Sequence, residues 1–222
     1  MSAIKRFLID PEVDLNWTDA SRGESQLFQA ITHNPDVAIL LLNFSELDIT
    51  HKSKDGKTVF SHACSCCKYD SDNTRSREKL VTLLLSLLRQ QQQQHLTLAE
   101  VSLTVLTPST YQALSLTLDN YCYLEMDSQN HGPLYHACKA GNFNVVRQLL
   151  AQPGIEGTIN SNVHSPLVRS YELARDRYPN SGEYSRITRL LFDDPRFDIN
   201  AKDKQQTLLH HACRHGDVDF VG

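Results

Sequence analysis

Residues 131–150 constrain the fold more than any other stretch, because they read as two short helices that cannot form a core alone. The segment runs His131-Gly132-Pro133-Leu134-Tyr135-His136-Ala137-Cys138-Lys139-Ala140-Gly141-Asn142-Phe143-Asn144-Val145-Val146-Arg147-Gln148-Leu149-Leu150. Pro133 suits the first turn of a helix, where no backbone N–H is required. Leu134, Ala137 and Cys138 then share one face at helical spacing. Gly141 is free to take the left-handed conformation that ends a helix. A second helix starts near Asn144, with Val145, Val146, Leu149 and Leu150 on its apolar face. Each helix carries one apolar stripe and is too short to stand unsupported. The stripes need neighbours of the same kind, so internal repetition decides the architecture.

The repetition is present. Ser165-Pro166-Leu167 restates Gly132-Pro133-Leu134 33 residues later. Ser25-Gln26-Leu27-Phe28-Gln29-Ala30 and Thr58-Val59-Phe60-Ser61-His62-Ala63 are also 33 residues apart. Thr207-Leu208-Leu209-His210-His211-Ala212-Cys213-Arg214-His215-Gly216 lies 42 residues after Ser165, one period plus nine. Thr58 and Gly132 are 74 residues apart, two periods plus eight.

A helix–turn–helix period of this length with this opening resembles the ankyrin repeat, whose signature is T-P-L-H-x-A. The resemblance is strong at 131–150 and 207–221, moderate at 25–64 and weak at 96–122. Only the last copy keeps both the opening Thr207 and the signature His210. The resemblance implies an all-α ankyrin-type solenoid with short β-hairpin or loop tips, running as a single domain over residues 1–222. The approximate units are 1–20 (partial), 21–54, 55–95 (with an insertion), 96–128 (degenerate), 129–161, 162–204 (with an insertion) and 205–222 (truncated).

Between units a phrase recurs: Pro11-Glu12-Val13-Asp14-Leu15-Asn16 and Pro195-Arg196-Phe197-Asp198-Ile199-Asn200. Its Asp and Asn side chains suit bonds to local backbone that hold a turn. Asn34 stands where Gly141 and Gly216 stand in other copies, and is expected to take the same left-handed turn. Lys52 to Lys57 contains an Asp-Gly turn signal and reads as a hairpin tip. Residues 68–77 and 178–184 lengthen the same inter-helix turn in two units. The five-glutamine run from Gln90 reads as a solvated helical extension or a loop. Residues 96–122 fit two helices, through Leu96, Ala99, Leu103 and Leu106 and then Tyr111, Leu114, Leu118 and Tyr121. They also alternate as strands would, and the period arithmetic favours helices.

Composition excludes several classes. A net charge of −4 argues against broad binding to nucleic acid or anionic membrane. No apolar run approaches the ~18–20 residues of a membrane span. The first residues carry no signal-peptide core, since Lys5, Arg6 and Asp10 interrupt it. Cys64, Cys138 and Cys213 each follow His-Ala in the same register, where a small residue lets helices pack closely. That placement indicates free thiols and a cytoplasmic or other reducing compartment. The chain is expected to be a monomer.

No reaction chemistry stands out. The cluster His62, Cys64, Cys66 and Cys67 lacks the second distant ligand pair of a structural zinc site, so no metal is expected. Each Cys–His combination is explained by repeat register rather than by a catalytic dyad. No phosphate-binding glycine loop occurs, and no cofactor is expected. This segment reads as a protein-recognition module or scaffold and not as an enzyme. The resemblance places partner contacts on the hairpin tips and the concave face of the first helices. The tip candidates are Lys54, Asp55, Lys57, Asn130, His131, Asn162, Lys204 and Gln205. Tyr69, Tyr178 and Tyr184 join them, as tyrosines on lengthened turns suit an interface. Ankyrin-like repeats also serve as asparaginyl hydroxylase substrates at Asp-apolar-Asn phrases, which singles out Asn16 and Asn200.

Phe220 and Val221 match Val145 and Val146, so the last unit reads as cut short and the chain as part of a longer protein. Divergent units with insertions also resemble the ankyrin-like parts of effectors that intracellular bacteria deliver into host cells. On that alternative the segment is the substrate-recognition arm of a multidomain enzyme, with its catalytic part beyond Gly222, working in the host cytosol.

Overall fold

The computed structural model describes residues 13–66, 73–103, 125–152, 155, 164–177, 182–203 and 205–217. Its helices fall into two layers. The inner layer holds α1 (Gln26–His33), α3 (Val59–Cys66), α5 (Pro133–Ala140), α7 (Pro166–Glu172) and α9 (Leu208–His215). The outer layer holds α2 (Pro35–Leu41), α4 (Thr74–Leu103), α6 (Phe143–Leu150) and α8 (Gly182–Phe192). Each inner helix packs on the inner helix before it, and each outer helix on the outer helix before it. The product is an all-α solenoid with short projecting tips. One of these tips is a two-residue-per-strand hairpin, β1 (Lys202–Asp203) with β2 (Gln206–Thr207).

The apolar stripes predicted from spacing are the ones that are buried. Leu134, Ala137 and Cys138 of α5 and Val145, Val146 and Leu149 of α6 are wholly inaccessible. They join one core cluster that runs from Leu27 to Ala212. A helix of seven or eight residues is marginal in water, so this shared burial holds each one in place. Local signals then set the boundaries. Asn142 caps α6 by accepting from Val145 N–H at 3.0 Å, and Ser165 caps α7 through Val168 N–H. Thr207 and His210 form a reciprocal capping box at the start of α9. Gly141 and Gly216 end their helices at φ values of 76° and 63°.

Three sequence expectations are corrected. The first concerns the degenerate unit at 96–128. Residues 96–103 continue α4 without a break, and α5 packs directly on α3, so no repeat unit stands between them. The tips follow suit, since Ser128 N–H donates to the Asp55 carbonyl at 2.9 Å. The physical reason is that Thr74 to Leu103 contains no glycine or proline to stop the helix. The second helix proposed for 96–122, through Tyr111, Leu114, Leu118 and Tyr121, lies outside the described residues.

Asn34 is the second correction. It sits at φ −147°, in extended backbone, and serves as C-cap of α1 and N-cap of α2 at once. Pro35 follows it, and a residue before proline is pushed out of helical backbone toward extended conformations. The third is Cys213, which is exposed while Cys64 and Cys138 are buried. The repeat register is the same, but among the described residues no inner helix follows α9 to cover it.

The recurrent Asp-x-Asn phrase behaves as expected. Asp14 accepts from Asn16 N–H and Asp198 from Asn200 N–H, both at 2.9 Å. Asn16 does more. Its amide donates to the Glu46 carbonyl at 2.7 Å and accepts from Asp48 N–H at 2.8 Å. The side chain therefore ties the start of one unit to the equivalent loop of the next.

Candidate protein interface

Two positions before the opening residue of α1, α3, α5 and α9, the chain takes a left-handed conformation. Gly23, Gly56, Asn130 and Gln205 have φ values of 64°, 71°, 61° and 70°. These are the apices of four tips, the first three of them successive. Glycine takes this backbone freely, and asparagine more readily than other side chains. Glutamine does so at some cost. Main-chain bonds join adjacent tips: Lys54 N–H donates to the Arg22 carbonyl at 2.9 Å, as Ser128 does to Asp55. A Cβ on Gly56 would lie 3.2 Å from Ser128 N, so a glycine allows that close approach. The first three tips thus form a row joined by backbone.

Along this row Lys54, Asp55, Asn130 and Gln205 are exposed, as expected for contact positions. Lys54 also donates to the Ala20 carbonyl at 2.6 Å, which holds it over the preceding tip. Lys57 is only half-buried, and its ammonium donates to the Ser65 hydroxyl at 3.0 Å. Burial pushes its pKa down. Asn162, Lys204, Tyr69 and Tyr178 lie outside the described residues.

Two expected contact residues are interior and are corrected. Tyr184 is buried, with its ring against Gly141 and its hydroxyl donating to the Lys139 carbonyl at 3.2 Å. It falls within α8, so its register points it into the stack. His131 is also buried, stacked on Tyr135 with ring centroids 4.1 Å apart. Asn130 turns the chain, and His131 folds back toward the helix instead of projecting.

His131 lies with two other polar groups. Asp127 Oδ1 accepts from the N–H groups of Gln129 and His131, each at 2.9 Å. Its Oδ2 lies 3.0 Å from His136 Nε2 and 3.6 Å from His131 Nδ1. Burial alone would raise the Asp127 pKa, but the His131 N–H and the two imidazoles hold it low. His136 is pushed down to about 4 by burial and by Lys57 nearby, so it is neutral at neutral pH. Sequence reasoning missed this trio because it placed His131 at the tip. The signal was the spacing Asp127, His131, His136 across one tip.

The zinc reading of His62, Cys64, Cys66 and Cys67 gains nothing from geometry. Cys64 is fully buried, Cys66 Sγ lies 3.6 Å from His62 Nε2, and Cys67 is outside the described residues. One exposed aromatic was passed over. Trp17, the sole tryptophan, is 58% exposed beside the first tip, where Thr18 pairs with Ser25. A lone tryptophan in a polar stretch was the available clue.

No helix among the described residues is long and apolar enough to cross a membrane. No family model matches the chain, and no curated protein sequence matches it significantly. Its fold is similar to that of a solved structure, EF0377, described as an ankyrin repeat protein. The match has a TM-score of 0.58 at 16% identity and covers 96% of this chain and 84% of that one. The helix–turn–helix stack and the row of tips define an ankyrin-repeat-type fold.

Proposed function

We propose that this chain is a protein-recognition module that binds its partner through the row of tips and the adjoining inner-helix face. The observation that carries the reading is the separation of duties along the row. Backbone bonds join the first three tips, while the side chains of Lys54, Asp55, Asn130 and Gln205 remain exposed along the row. Trp17 adds an aromatic anchor of the kind that dominates interface energetics. The mixed charge of Lys54 and Asp55 suits a partner with a patterned polar rim rather than a uniformly charged polymer. The module works without a reaction of its own.

The test uses a fourfold variant, Lys54→Ala, Asp55→Ala, Asn130→Gly and Gln205→Gly. Glycine at the two left-handed apices removes side chains without adding strain. Proteins recovered by wild type and variant from a native lysate are compared quantitatively, after matched helicity and melting are confirmed. Loss of at least one specific partner by tenfold supports the reading. Equal recovery of every protein by both forms refutes it.

A further inference from the structure

We propose that Asp127, His131 and His136 form a binding site for one divalent transition-metal ion of the zinc type. Each residue offers one ligand atom, and the three atoms lie within 4.8 Å of one another. The three side chains are no more than 10% exposed, so the site is built into the fold. Zinc bonds to nitrogen and carboxylate oxygen are ~2.0–2.1 Å, which in a tetrahedron puts ligand atoms about 3.3 Å apart. The Asp127–His136 and Asp127–His131 separations, 3.0 and 3.6 Å, straddle that value. Two imidazoles and one carboxylate also match the ligand preference of such ions, with the remaining position left to water.

The surroundings position the set. The left-handed Asn130 brings residues 127 and 131 together, and the two backbone bonds to Asp127 Oδ1 fix the carboxylate. That leaves Oδ2 facing both imidazoles. Tyr135 stacks on His131 and restricts its ring. His136 stands in α5, a helix bounded by Gly132 and Gly141. A further imidazole, His164, has its ring centroid 4.4 Å from that of His131. One group opposes the site: the cationic Lys57 directly follows Gly56, where a Cβ would lie 3.7 Å from the Asp127 backbone. It repels a cation, so its removal tightens binding.

The test is titration of the chelator-stripped protein with zinc and with cobalt(II), followed by calorimetry and visible absorption. The expected result is one saturable site whose cobalt spectrum lacks thiolate charge-transfer bands. Asp127→Asn and His131→Gln weaken the affinity at least tenfold, and Lys57→Met strengthens it several-fold. Circular dichroism establishes that each variant is folded. Lys57→Met leaves all three ligands in place, so its result stands if the other two fail to fold. Absence of saturable binding overturns the proposal, as does unchanged affinity in the folded variants. Binding with thiolate bands that disappears in Cys66→Ser or Cys213→Ser assigns the metal to thiols and overturns it too.

Discussion

The ring of Tyr184 closes directly on Gly141, so that a Cβ at position 141 would come within 2.6 Å of the Tyr184 ring. The glycine serves twice: it takes φ 76° at the end of α5, and it leaves room for a side chain from the next unit. At Gly216, in the equivalent register, a Cβ would meet no other described residue within 4 Å. The pair therefore separates backbone strain from steric exclusion. Gly216→Ala is expected to cost ~1 kcal/mol for left-handed strain. Gly141→Ala adds overpacking of about 1–3 kcal/mol. Denaturant unfolding of the two variants checks this; equal losses would show that the Tyr184 contact is readily relieved.

Stability also falls with acid. His62 is held neutral, its pKa pushed down to about 4 by burial and then by the Lys57 charge. In the unfolded chain it titrates near 6.5. The unfolded state binds the proton more readily, so the contribution is full above pH ~6.5 and is lost as pH falls toward 4. The single group accounts for ~3 kcal/mol at most over that window. His62→Gln, which can keep a polar contact with Thr32, should flatten part of the pH dependence measured by chemical unfolding between pH 7 and 4.5.

Asn16 acts as a staple between loops of two units, through Glu46 and Asp48. Asn16→Ala removes both bonds and leaves the Asp48 N–H and Glu46 carbonyl to solvent, with an expected loss of about 1–2 kcal/mol. Asn200 lies at the equivalent place in the final phrase, and Asn200→Ala provides a comparison. Thermal melting of the two variants measures the difference.

The same two asparagines are the proposed hydroxylation sites. Treatment with an asparaginyl hydroxylase should add one oxygen, ~16 Da, at Asn16 or Asn200. Peptide mapping by mass spectrometry reads the position. An unchanged mass after exhaustive treatment would end the idea.

Much of the local architecture was legible. The apolar spacing of Leu134, Ala137, Cys138 and Val145 to Leu150 marked two helices and their inward faces, because burial selects that period. Gly141 and Gly216 marked helix ends for the same stereochemical reason that the structure shows. Asn34 was misread because Pro35, one residue on, outweighs the register. The unit at 96–128 was misread because spacing in multiples of a period cannot distinguish an added repeat from an insertion. Only the direct seating of α5 on α3 separates the two.

Exposure at the tips was legible in part. Lys54, Asp55, Asn130 and Gln205 project as the tip chemistry implies. His131 and Tyr184 do not, since their burial depends on Asp127 across the turn and on Gly141 in the preceding unit. Sequence alone determined the inward stripes of the short helices and the glycines that end two of them, because these follow from spacing within about one turn of chain. Tertiary structure alone decided which units are neighbours, which aromatic rings are interior and which polar groups converge. Those outcomes depend on contacts between residues that are remote in sequence, such as Gly141 with Tyr184 and Asp55 with Ser128.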